Sequence, residues 1–151
     1  MMAFFQWLED TGLGVYMRED PWGFAIALSA HSIGMSMALG VVIVATLRAL
    51  NVLRQIPLQA HAYLYPTAWA GFIVNLISGL ALYVSHATEY SYQIVFMLKL
   101  GLIIAGGFLF KAMIDSAHDF GDDAGKTKMM AALSLSCWIL AIITGRLMAY
   151  F

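Results

Sequence analysis

FAIALSAHSIGMSMALGVVIVATL, residues 24–47, decides the fold. These 24 residues contain no Asp, Glu, Lys or Arg. At about 1.5 Å of rise per residue, a helix of that length crosses the roughly 30 Å hydrocarbon core of a bilayer. Three more apolar stretches follow, at 62–84, 92–114 and 129–150. Backbone in lipid must satisfy its own hydrogen bonds, and these stretches are too long for barrel strands. The sequence therefore predicts an all-α integral membrane four-helix bundle. Residues 1–151 form a single transmembrane domain, with no room for a separate soluble one.

Composition agrees. The chain is 62% hydrophobic and 11% charged, with a mean hydropathy of +0.79. A soluble domain is nearer a quarter charged. The net charge of −1 comes without a basic tail or patch, so nucleic acid is not expected as a partner. Residues 3–17 mix Phe, Trp, Leu and Tyr with Glu9, Asp10 and Thr11, as in a short segment lying on the membrane surface. The opening MMAFFQWLED lacks the basic region of a signal peptide. Trp7, Tyr16 and Trp22 suit the headgroup level. The single cysteine, Cys137, lies in the fourth stretch and reads as a small packing residue.

Orientation follows from Lys/Arg bias in the connections. The first connection carries Arg48 and Arg54, and the third carries Lys126 and Lys128, with Lys111 at its edge. The second, residues 85–91, has no Lys or Arg, and Arg18 near the N-terminus is outweighed by Glu9, Asp10, Glu19 and Asp20. Connections one and three are expected on the cytoplasmic side. Both termini and connection two are expected on the outer side, the periplasmic one if the membrane is a bacterial inner membrane.

With that topology, three polar residues fall at one depth. His31, Asn75 and Lys99 lie seven to nine residues in from the outer ends of their stretches. That is roughly 10–14 Å below the outer surface. Arg146, on the fourth, lies higher, roughly 6 Å from the outer end. The inner half shows no comparable set. Ionisable groups at membrane depth are costly and mark functional sites by default. With no Asp or Glu inside any stretch, the expected partner is an anion, an electron-rich cofactor or an acid from another chain. Small residues place the set inward: Ala27, Ala30, Gly34 and Ala38 run beside His31, and Gly71, Asn75 and Gly79 repeat every four residues. Lys99 and Gly106, seven apart, share a face, as do Ser134, Cys137 and Ala141.

Each residue also has a plainer role. His31 can be a neutral core histidine, Lys99 can snorkel, Asn75 can be interhelical glue and Arg146 an interfacial anchor or a partner of Glu19 or Asp20. His61 and His118 share the cytoplasmic level, which permits a bis-histidine haem. His86 lies at the outer end, about 10 Å above His31. The ten methionines invite a copper reading, but Met35 and Met37 point to different sides and no Met or Cys cluster forms.

Several pieces occur in the order found in one family. They are Arg18–Trp22, HSIG from His31, TLRAL around Arg48, LYPTAW with Pro66, SHATEY, FMLKLGLI with Lys99, and the closing GRLMAY with Arg146. The chain thereby resembles an uncharacterised family of small four-helix bacterial inner-membrane proteins, known as a domain of unknown function. That family is loosely similar to copper-resistance and haem-handling four-helix membrane proteins. In its pattern an acid often stands three before the histidine and an Asp two before the first-connection arginine. Leu28 and Thr46 occupy those places here.

The leading expectation is a membrane redox subunit binding b-type haem or quinone in an outer-leaflet pocket. His31 would be metal ligand or hydrogen-bond partner, Asn75 would line the pocket, and Lys99 and Arg146 would face propionates or a reduced quinone. The alternatives are a copper or small-anion transporter, and a non-catalytic accessory subunit of a larger membrane complex. Other membrane subunits or further copies of the chain are the expected partners.

Overall fold

The computed structural model describes residues 2–53, 55–56, 60–120 and 125–148, with only the helical backbone of 60–62 and 118–120. Arg54 and Tyr150 therefore lie outside the described residues, as do the side chains of His61 and His118. Among the described residues there are seven helices and no strand: α1 (Met2–Glu9), α2 (Gly12–Glu19), α3 (Pro21–Ala49), α4 (Ala60–Ser85), α5 (Ala87–Tyr92), α6 (Ile94–Phe120) and α7 (Gly125–Leu147). The chain is all-α, as the sequence predicts. Four of these helices are long and apolar enough to cross a membrane, over Pro21–Ala49, Tyr63–Ser85, Ile94–Ala117 and Gly125–Leu147. The chain divides into two compact units, one of Met1–Ala38 with Thr67–Gln93 and one of Leu39–Pro66 with Ile94–Phe151.

In the first unit, the surface segment expected at 3–17 is two short helices. Thr11 breaks them apart: its hydroxyl accepts from Gly14 N at 3.3 Å and caps α2. Helix α3 starts three residues before the apolar stretch does. Asp20 Oδ1 accepts from Trp22 N at 2.7 Å and Gly23 N at 2.9 Å, and Pro21 fills the first helical position, where its missing N–H costs nothing. The second connection is not plain loop. It holds α5, whose first turn is tied to α1 by Glu9 Oε1, which accepts from Thr88 N at 2.7 Å. Phe5 meets Tyr92 edge-on, with centroids 6.4 Å apart.

Helices α3 and α4 touch backbone to backbone in this unit. A Cβ built on Gly34 would lie 2.6 Å from Asn75 N and 2.7 Å from Gly71 O. One on Gly71 would lie 2.7 Å from Ala38 N and from Gly34 O. No side chain fits at either place, which is how small residues bring membrane helices together.

In the second unit α6 and α7 run side by side in opposite directions. Lys99 meets Gly145, Gly106 meets Trp138, and Ser116 Oγ lies 2.9 Å from Thr127 Oγ1. The last turns of α3 add Ala45 and Ala49, which pack with Met113 and Ala131, all at most 2% exposed. Helix α3 ends in a Schellman motif: Asn51 takes φ 64°, Val52 N donates to Leu47 O at 2.9 Å and Asn51 N to Arg48 O at 2.8 Å.

Thr46 and Thr127 are fully buried and Ser116 nearly so. Ser and Thr enter apolar helices at little cost, and here Ser116 and Thr127 pair across α6 and α7. Helix α6 also runs past the apolar stretch to Phe120, with Lys111 Nζ 2.8 Å from Asp115 Oδ2 one turn on. Hydropathy marks where lipid can be, whereas backbone hydrogen bonds carry the helix further.

Candidate functional site

The four residues singled out from the sequence fall in different units. His31 and Asn75 belong to the first, Lys99 and Arg146 to the second.

His31 and Asn75 are brought together across α3 and α4. The imidazole Nδ1 lies 3.0 Å from the Asn75 carbonyl oxygen and 3.3 Å from Ser78 Oγ. A carbonyl oxygen can only accept, so Nδ1 carries the proton. Asn75 Nδ2 returns a hydrogen bond to the His31 carbonyl at 2.8 Å. Ser78 Oγ sits 2.6 Å from Val74 O and donates within its own helix. The ring itself rests on Gly79, where an added Cβ would lie 3.0 Å from His31 Cε1. The spacing of Gly71, Asn75 and Gly79 thus does mark the seam.

An imidazole whose Nδ1–H is held by a carbonyl is oriented as metal-bound histidines are. The rest of a metal site does not assemble. Among the described residues no group of three or more His, Cys, Asp or Glu side chains could hold an ion. The ring edge is packed on α4 at Gly79. Two apolar grooves flank α3, of about 340 Å³ beside Tyr16, Gly23, Ala27 and Ile77 and about 400 Å³ beside Trp22, Ser29 and Ile33, and His31 lines neither. His86, at the end of α4, turns its Nδ1 to Ser85 Oγ at 2.9 Å and sets its ring edge-on to Phe24.

In the second unit Lys99 lies on the α7 side of α6, the side that also carries Gly106 and Met113. Its chain runs over Gly145: an added Cβ there would lie 3.3 Å from both Cε and Nζ. Lys99 is half-buried. Among the described residues of its unit, no carboxylate or carbonyl stands within hydrogen-bond distance of Nζ. Thr144, the residue before Gly145, donates its hydroxyl to Leu140 O within its own helix at 2.9 Å. Arg146 follows Gly145, exposed in the last turn of α7, where a cation suits the helix dipole. Near the N-terminus, Arg18 pairs with Glu9 at 3.5 Å and Asp10 at 3.9 Å, and Asp20 caps α3.

Two features were missed from sequence. Trp138 Nε1 is buried against Gly106 with no acceptor among the described residues. Gly145 lies opposite Lys99, a pairing that exists only once the α6/α7 register is known. No family model, no curated protein and no solved structure matches this chain.

Proposed function

We propose that this chain is a redox subunit of a bacterial inner membrane, with both termini on the periplasmic side, that binds a quinone headgroup at Lys99. One observation carries the reading: a lysine amine lies in an apolar helix, against a glycine, with no acceptor among the described residues of its own unit. Holding a cation there unpaired costs several kcal/mol, so the amine calls for an oxygen acceptor. A water-borne anion would have to be stripped of its hydration to reach it, whereas a lipid-soluble carbonyl compound arrives from the apolar phase already dry. A quinone, when bound, supplies two carbonyl oxygens and the capacity to carry electrons.

The residues of this chain do the rest. Lys99 Nζ donates to one carbonyl oxygen and holds positive charge beside it. Arg146 adds a second cation one residue beyond Gly145. The apolar surfaces of α6 and α7 keep water away, which strengthens the amine's field. His31 and Asn75 join α3 to α4.

The test is to purify the protein with its native lipid and extract quinones from it. Wild type should retain quinone, and Lys99→Met should lose it while keeping its helical content. If both are quinone-free and Lys99 instead crosslinks to an acid of a co-purifying chain, the protein is an accessory subunit. If anion flux in vesicles depends on Lys99, it is a transporter.

A further inference from the structure

We infer that Gly145 is a positioning residue for Lys99, setting where its amine presents charge in the α6/α7 seam. The inference rests on Lys99 being the ligand-facing donor, yet its own test needs no ligand. Lysine is long and flexible, and a free side chain would extend toward water. Here the last atoms of Lys99 lie on the α7 backbone, because residue 145 has no side chain to hold them off. A Cβ at 145 would stand 3.3 Å from Cε, 3.3 Å from Nζ and 3.6 Å from Cδ. That is tight contact along half the side chain.

The glycine is placed by register. Lys99 and Gly106 are seven apart on α6, and Trp138 and Gly145 are seven apart on α7. The pairs Lys99–Gly145 and Gly106–Trp138 are therefore successive rungs of one antiparallel seam. In each rung a glycine faces a side chain that ends in an N–H donor. Gly101 and Gly107, also on α6, have nothing within 4 Å of an added Cβ. The contact at 145 is thus a property of that rung and not of glycines in these helices generally. Alanine at 145 would move the amine by a few tenths of an ångström, and leucine would evict it. Alanine is also the better helix former, so α7 itself is not put at risk.

The experiment uses the full chain in lipid nanodiscs, with its lysines reductively methylated with ¹³C. The Lys99 resonance is the one that Lys99→Arg removes. Gly145→Ala should shift that resonance and leave those of Lys111, Lys126 and Lys128 in place. Gly145→Leu should shift it further and, in protein that has not been methylated, make Lys99 several-fold more reactive toward an acylating reagent. An unchanged Lys99 resonance and reactivity in Gly145→Ala, with helicity intact, would overturn the inference; that variant decides if Gly145→Leu does not fold. Titration with decylubiquinone separates the two ideas. A shifted resonance in a protein that never binds the probe leaves positioning standing and removes the quinone reading. Binding about tenfold weaker in Gly145→Ala than in wild type supports both.

Discussion

His31 and Asn75 exchange hydrogen bonds in both directions across α3 and α4. The ring Nδ1 is 3.0 Å from the Asn75 carbonyl, and the Asn75 amide is 2.8 Å from the His31 carbonyl. Each side chain therefore satisfies a backbone carbonyl of the other helix. In a membrane such bonds contribute about 0.6–2 kcal/mol each, because the separated helices find other partners. His31→Ala and Asn75→Ala should each lower stability by about 1–2 kcal/mol. The double variant should lose less than the sum, since each single change already breaks part of a shared arrangement. SDS-induced unfolding of the four proteins measures this. Strict additivity would show that the two residues act apart.

The same seam makes a sharper prediction about glycines. Gly34→Ala forces a methyl to within 2.6 Å of the Asn75 backbone nitrogen, and backbone cannot step aside as a side-chain tip can. Overpacking of this kind typically costs about 1–3 kcal/mol. Gly40 is on the same helix with nothing within 4 Å of an added Cβ. Gly40→Ala should be neutral, or stabilising by up to about 1 kcal/mol through helix propensity. Equal losses in the two variants would mean that the α3/α4 contact at Gly34 is not what sets stability.

The contrast between these glycines shows what a sequence conveys. The 24 uncharged residues at 24–47 impose a membrane helix by length alone. Spacings of four along one helix, as at Gly71, Asn75 and Gly79, reveal its packed face before any partner is known. The early start of α3, by contrast, rests on the Asp20 cap and Pro21, which hydropathy does not register. Contacts between distant segments were not legible either. Glu9 and Thr88 are 79 positions apart. Gly145 reads as a generic small residue until the α6/α7 register sets it opposite Lys99. The common depth of His31, Asn75 and Lys99 spoke of height along the helix axes and not of which side chains meet.

Glu9 is the centre of the contacts that hold α1. Its carboxylate accepts from Thr88 N at 2.7 Å and lies 3.5 Å from Arg18 Nη1, with its side chain 18% exposed. A charge-assisted bond to a backbone N–H is stronger than a neutral one. Glu9→Gln keeps the shape and removes the charge, and should weaken the tie by about 1 kcal/mol. Hydrogen exchange at the Thr88 amide should then speed up about fivefold. An unchanged exchange rate would mean that α5 holds its own first turn.

Tyr90 gives a dependence on pH. Burial first, and then the charge of Glu89, push its phenol above the ordinary tyrosine value. A group whose value is raised on folding stabilises the fold while it stays protonated. The contribution is full below the unfolded value near pH 10 and is lost as pH rises through the folded one. Stability of the wild type should therefore fall above about pH 10 more steeply than that of Tyr90→Phe. Parallel pH profiles would remove the assignment.

The placement of charge fixes a test of topology. Arg48 closes α3, Lys126 and Lys128 open α7, and Glu89 lies on α5 after α4. If α4 crosses the membrane, residues on either side of it must face opposite compartments. Val52, 66% exposed beyond α3, and Glu89, exposed on α5, are suitable probes on the two sides. Cys137 is first changed to serine so that each variant carries one thiol. Val52→Cys and Lys126→Cys should react with an impermeant maleimide only after lysis, and Glu89→Cys in intact spheroplasts. Positive side chains stay on the cytoplasmic side, so Lys126 must share the compartment of Val52. Labelling of all three from one side would mean that neither α4 nor α6 crosses. The reversed pattern would keep α4 and α6 crossing and place the Lys99 end of α6 in the cytoplasmic leaflet instead.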